Sequence, residues 1–282
     1  MIRPTLFAIS LTGALFAPLI ASAEVSCVRG GLQDAVDLYI EAQTSGDVSG
    51  MPLADGLGYW ENEQRIDIDD GLIMKPLLIN HHMSLLDTDS CQTFTEVIVA
   101  NEDEPYVLGT RMRINHDKIA EIEILWTTTG YWLFNADAYL QYSIREDWGP
   151  IPVENRDTRG TLVGAANAYL DAFLEGRIDL VPWGFPCERV EGGAYTGRGL
   201  PDDSCEVGVP SGVNISNRRF VVDEVIGSVV VYCTFGAGGP DGGSGAPDTH
   251  LFRVENGRLR HVHTLTHLLQ ANFRGGNDDD DG

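Results

Sequence analysis

The sequence predicts an α+β protein in which one unit, a helix followed by a curved antiparallel sheet, occurs twice in tandem. Three observations predict it. "LQDAVDLYIEAQTSGDVSGMPLADGLGYWEN" from Leu32 and "LVGAANAYLDAFLEGRIDLVPWGFPCERVEG" from Leu162 align at a constant offset of 130. That offset pairs Leu32 with Leu162, Ala35 with Ala165, Tyr39 with Tyr169, Gly46 with Gly176, Pro52 with Pro182 and Glu61 with Glu191. Further on, "TRMRINHDKIAEIEI" and "HLFRVENGRLRHVHT" align at an offset of 140, the difference falling in a longer second-copy loop such as "GAGGPDGGSGAPD". Self-similarity at a fixed spacing is the mark of a duplicated unit. Each copy, finally, changes from helical periodicity to strand alternation along its length.

The elements follow in order. Apolar residues at 32, 35, 36, 39 and 40 lie on one face of a helix, and Gly46 and Gly176 supply natural left-handed caps. A short proline-containing segment leads to a first strand. "TFTEVIVA", "YVLGTRMRI" and "IAEIEILWT" then read as first-copy strands, and "RRFVVDEV", "SVVVYCTF", "HLFRV" and "LRHVHTLT" as second-copy strands. The linker "EDWGPIPVENRDTRG" holds two prolines and sets the boundary. The organisation expected is a signal peptide over 1–23, a first domain over 24–150, a linker over 151–157, a second domain over 158–272 and an acidic disordered tail over 273–282.

The signal-peptide reading rests on one Arg, an apolar stretch and Ala21-Ser22-Ala23 before Glu24. It predicts a secreted protein or one held in the secretory lumen, and no later stretch is long and apolar enough to span a bilayer. Lys plus Arg number 19 against 42 Asp plus Glu, a net charge of −23. Such a surface repels phosphate backbones and anionic lipid, which argues against nucleic acid or membrane as partners.

An oxidising compartment favours disulfides. Cys187 and Cys205 flank a Gly-rich loop and make a local staple, Cys27 with Cys91 would tie down the N-terminus, and Cys233 within "SVVVYCTF" reads as a buried free thiol. The spacings fit no metal motif, so no metal is expected. Asn214-Ile215-Ser216 is a glycosylation sequon. No phosphate loop, nucleophile elbow or dinucleotide fingerprint occurs.

The unit, with "YIEAQTSGD" closing its helix and "LADGLGYWEN" as its first strand, resembles the NTF2-like, SnoaL-like or ketosteroid-isomerase-like cone. The whole chain is similar to fungal secreted proteins with two such units, through "TTTGYWLFNA", "EDWGPIP", "VPWGFPC" and "GGAYTG". The resemblance implies two tandem NTF2-like cones, each around one pocket. A helix tyrosine, Tyr39 or Tyr169, would donate to a developing oxyanion, and a first-strand carboxylate, Glu61 or Glu191, would move the proton. The isomerases' second acid falls on Thr110 and His250; histidine can still donate, threonine does so poorly, and this argues against steroid isomerisation itself. Trp126, Thr264 and Thr266 are expected on the pocket wall and His81 at the mouth of the first pocket. Strand alternation then turns Glu121, Glu123, His261 and His263 outward. There the two sheets are expected to meet as an internal pseudo-dimer, with the glutamates approaching the histidines or at least sharing that interface.

The activity implied is a cofactor-free cyclase, isomerase or dehydratase of fungal secondary metabolism that abstracts a proton beside a carbonyl of a small apolar substrate. Dimerising cyclisation of maleic-anhydride units, or a pericyclic closure, are examples. The alternatives are a secreted binder or effector that holds a small molecule without catalysis, and a structural protein whose cones are filled by their own side chains. This fold hosts all three.

Overall fold

The computed structural model describes residues 25–101, 103–206, 208–238 and 244–270. The expected signal peptide and the acidic tail lie outside the described residues. In the first copy, helix α1 (Arg29–Ser45) precedes β1 (Leu53–Glu61), β2 (Gln64–Arg65), β3 (His81–Asp87), β4 (Gln92–Val99), β5 (Tyr106–Asn115) and β6 (Lys118–Thr128). A short helix, α2 (Ala136–Ser143), follows. The second copy has α3 (Arg159–Glu175), β7 (Trp183–Glu191), β8 (Ala194–Tyr195), β9 (Ile215–Asp223), β10 (Ser228–Phe235), β11 (Ala246–Glu255) and β12 (Arg258–Thr266).

Both sheets have six strands in the same order, β2-β1-β6-β5-β4-β3 and β8-β7-β12-β11-β10-β9. The fold is therefore α+β, two tandem cones, as the repeat predicts. One refinement is needed. The sheets are mixed, because β1 pairs parallel with β6 and β7 parallel with β12. A chain that leaves a helix and returns through four later strands can place its first strand parallel to its last.

Local causes are visible at the helix ends. Gly46 and Gly176 cap their helices at φ 70 and 65, a left-handed conformation that costs glycine little. The inner face of each sheet packs on its own helix. Leu32, Val36 and Tyr39 of α1 meet Leu108, Met112, Ile122 and Ile124 in the first core; Leu162, Tyr169 and Phe173 of α3 meet Val231, Phe252 and Val262 in the second.

The outer faces meet each other. Leu85, Phe94, Ile98, Val107 and Leu125 of the first sheet pack with Val190, Val221, Val230, Leu251 and Leu265 of the second, and Tyr139 of α2 joins them. Each such side chain contributes about 1.5–3 kcal/mol relative to exposure. The contact is reciprocal, as a two-fold interface requires. Asp87 accepts two hydrogen bonds from Arg159 at 2.8 and 2.9 Å and one from the Val222 N–H; Asp223 accepts from Arg29 at 2.8 Å and from the Leu86 N–H. Burial opposes the charge on Asp87, but the Arg159 guanidinium and the N–H groups of Val222 and Ser90 outweigh it and lower its pKa below the ordinary value.

Glu121, Glu123, His261 and His263 lie on the outer faces, as the alternation predicts, but the glutamates and histidines do not pair with one another. Glu123 takes Arg111 of its own sheet and Arg219 of the other. Glu121 pairs with Arg113. His263, fully buried, lies between Glu96 of the first copy at 2.9 Å and Glu146 at 2.6 Å. Burial alone would lower the His263 pKa, yet the two carboxylates push it up to about 10.

Candidate functional site

The two copies place equivalent residues at equivalent points, so their interiors can be compared directly. In the first, the Tyr39 hydroxyl hydrogen-bonds Thr110 at 2.7 Å, and burial raises its pKa. Glu61 accepts from the Tyr59 hydroxyl at 2.5 Å, the Leu72 N–H at 2.5 Å and the Trp126 indole N–H at 3.0 Å. Three donors leave this carboxylate tying β1 to the following loop and to β6. Trp126 lies across the end of the core, edge-on to Tyr106, Tyr131 and His267.

In the second copy the strand register places Arg189 where the first has Tyr59, Asp248 where it has Leu108, and His250 where it has Thr110. Thr264 stands for Ile124 and Thr266 for Trp126. Removing that leucine, isoleucine and tryptophan opens a cavity of about 120 Å³. Tyr169, Arg189, Glu191, Asp248, His250 and Thr264 line it, together with Trp132.

The polar groups are tightly organised, as buried polar groups must be. Asp248 is buried; it lies 2.8 Å from His250 Nε2 and accepts from the Thr266 hydroxyl at 3.0 Å and from the Cys233 thiol at 3.8 Å. An aspartate on one ring nitrogen sets the tautomer of the neutral imidazole, with the proton at Nε2 and the lone pair at Nδ1. Nδ1 lies 3.4 Å from the Thr264 hydroxyl, a long contact. Tyr169 accepts from Arg189 at 3.2 Å, which leaves its own proton free to donate. Burial, opposed by Arg189, raises the Tyr169 pKa and keeps the hydroxyl protonated. Glu191 receives the Trp132 indole N–H at 2.9 Å and pairs with Arg189 at 3.4 Å.

Trp132 comes from the first copy's trailing segment. That segment reaches the second sheet because Gly192 and Gly193 have φ of 62° and 131°, and a Cβ on either would meet backbone atoms of residues 132–135. Asn135 N–H then donates to the Gly192 carbonyl. Each copy thus gives its first-strand carboxylate an indole N–H, from its own β6 in one case and from the connecting segment in the other.

The structure gathers the residues singled out from the sequence into two groups, one in each copy. Tyr169, Glu191, His250, Thr264 and Thr266 come together around the cavity. Tyr39 lies in the first core among Leu108, Ile122 and Ile124, with Trp126 packed against that core and its indole on Glu61. Cys27–Cys91 and Cys187–Cys205 are bonded, and Cys233 is free and buried. Asn214 donates its amide to the Ala237 carbonyl. His81 needs correction: it shares its strand face with Met83 and Leu85, which pack in the interface, so it faces the Glu96–His263 group rather than the first pocket. Arg189 and Asp248 had no place in the sequence reading of the site. Aligning the copies position by position would have found them, because a charge replaces a tyrosine in one case and a leucine in the other.

Residues 155–266, the second copy, match a family model described as "Domain of unknown function (DUF8021)". Among solved structures, the chain is similar to an NTF-2 like protein of unknown function from Burkholderia xenovorans LB400, at 13% identity and a TM-score of 0.26. The match covers 34% of this chain and 81% of that one. No curated protein matches the sequence. Among the described residues no helix is long and apolar enough to cross a membrane.

Proposed function

We propose that the second copy is a cofactor-free acid–base site for a small carbonyl compound and that the first copy is its scaffold. The observation that carries this reading is the buried Asp248–His250 pair beside Tyr169 on the wall of one cavity. His250 Nδ1, on exchanging its long contact with Thr264 for substrate, takes a proton from the carbon next to the carbonyl. The enolate oxygen accepts the Tyr169 hydroxyl proton in a hydrogen bond that strengthens as charge develops, with Arg189 behind it. Returning the proton to a different carbon isomerises the substrate; expelling a β-hydroxyl dehydrates it. Glu191, the residue the isomerase resemblance assigns to proton transfer, here orients Arg189 and Trp132.

The cavity is below the roughly 300–1,000 Å³ of sites for drug-sized ligands. Within the enzyme reading that favours a single small substrate over two joined maleic-anhydride units, and a cavity this small also supports the reading in which the cones are filled by their own side chains. The resemblance to fungal secreted proteins and the two disulfides support a secreted enzyme of secondary metabolism. A non-catalytic binder is the second reading, favoured by the fact that both His250 nitrogens have protein partners. The test is proton–deuterium exchange in a panel of small keto acids and ketones in D2O, followed by NMR. Exchange that depends on Tyr169 and His250 supports the enzyme; thermal stabilisation by the same compounds without exchange supports the binder.

A further inference from the structure

On the outer face of the second sheet, away from the cavity, three potential ligand atoms converge without bonding one another. Glu188 on β7 and His261 on β12 are register partners on adjacent strands, and Glu146 reaches over them from the segment after α2. His261 Nδ1 lies 3.6 Å from Glu146 Oε1 and 3.8 Å from Glu188 Oε2. These separations are too long for hydrogen bonds. Two ligands each about 2.1 Å from a zinc ion stand about 3.4–3.8 Å apart over angles from tetrahedral to about 130°.

The cost of leaving these atoms unpaired supplies the second observation. Glu146 Oε1 and His261 Nδ1 are buried with no hydrogen-bond partner among the described residues, and the Glu146 side chain is only 2% exposed. A buried unsatisfied donor or acceptor costs about 1–3 kcal/mol, more if charged. The rest of the group is firmly held. Glu146 Oε2 accepts from His263 at 2.6 Å and from the Trp148 indole at 3.0 Å, so Oε1 is fixed in its direction. Glu188 is hydrogen-bonded by Tyr195, whose ring stacks on Tyr142 at 3.8 Å. Outer partners that orient ligands in this way are characteristic of metal sites.

We infer that Glu146, Glu188 and His261 bind a divalent transition-metal ion of the zinc type, with a fourth position open to solvent. Two carboxylates and one imidazole suit zinc, and the ion would staple the connecting segment to the second sheet. A second group, Cys233, Asp248 and His250, has similar spacing. Its members, however, already hydrogen-bond one another, and burial raises the Cys233 pKa and keeps it a thiol.

The assignment is tested by stripping the full oxidised chain with chelator and titrating it with Zn²⁺ by calorimetry, with native mass spectrometry for stoichiometry. One tight zinc per chain and a higher unfolding temperature are expected. Glu188→Gln and His261→Gln should each weaken binding by more than the about 10–100-fold that loss of an orienting partner costs. Cys233→Ala should leave it unchanged, and Co²⁺ should bind without a thiolate charge-transfer band. Because the Glu188 side chain is 20% exposed and the substitution keeps its size, its variant is expected to fold, as circular dichroism would verify. Absence of tight binding overturns the inference. So does zinc retained in both variants, which would place it elsewhere, such as the aspartates at 278–281, or zinc lost in Cys233→Ala.

Discussion

The first copy encloses Tyr59, Leu108, Ile124 and Trp126 where the second has Arg189, Asp248, Thr264 and Thr266. Helix cap, strand order, register and even the indole on the first-strand carboxylate are common to both. The difference shows how a duplicated fold divides its tasks. One interior closes with apolar volume and supplies stability. The other gives up that volume for a few polar groups, each satisfied by a neighbour, and gains a cavity.

The contrast breaks most sharply in activity. His250→Asn should lower the rate of α-proton exchange about 10²–10⁴-fold, the usual worth of a positioned acid–base group. Thr110→Val, its first-copy counterpart, should leave that rate unchanged. Equal losses in both variants would mean that the copies share the task.

Next in size comes the interface, where Glu96 and Tyr232 occupy equivalent positions on the two outer faces. Glu96→Gln removes one carboxylate from buried His263 and should cost about 3–5 kcal/mol in chemical denaturation. The reciprocal clamp comes third. Asp87→Asn should cost about 1.5–3 kcal/mol near pH 7. The folded pKa of Asp87 is depressed, so its contribution is present above the unfolded carboxylate value of about 3.9 and fades as pH falls through the folded one. Denaturation midpoints of wild type and variant should therefore converge in acid; a gap that persists at pH 2 would show that the charge is not responsible. Tyr232→Phe should matter least, about 1 kcal/mol or less, since its hydroxyl makes one 3.4 Å bond to the Glu123 carbonyl.

Much of this was readable from residue order. The two offsets located both copies, alternation along "IAEIEILWT" and "LRHVHTLT" assigned the faces correctly, and the glycines marked both helix ends. Other features depend on register and long-range contact. Strand β3 hides behind the adjacent pair His81-His82, and only its pairing with β4 decides which histidine faces inward. Helix α2 is short, and its packing against the interface, with the Tyr139 hydroxyl on Glu96, has no periodic signature. Asp248 closes the stretch "GAGGPDGGSGAPD", which reads as a loop, and Arg189 has no marked position in its segment, yet both are buried. Glu146 lies in the connecting segment, and sequence spacing does not bring it to His261, more than a hundred positions later.

The division of labour is tested most directly by a crystal soaked with a panel of small carbonyl compounds. The account predicts density in the second copy, with the carbonyl oxygen at the Tyr169 hydroxyl and the adjacent carbon facing His250, while the interior around Tyr39 and Glu61 remains closed. Density beside Tyr39 and Glu61, with the second cavity filled by its own side chains, would contradict it.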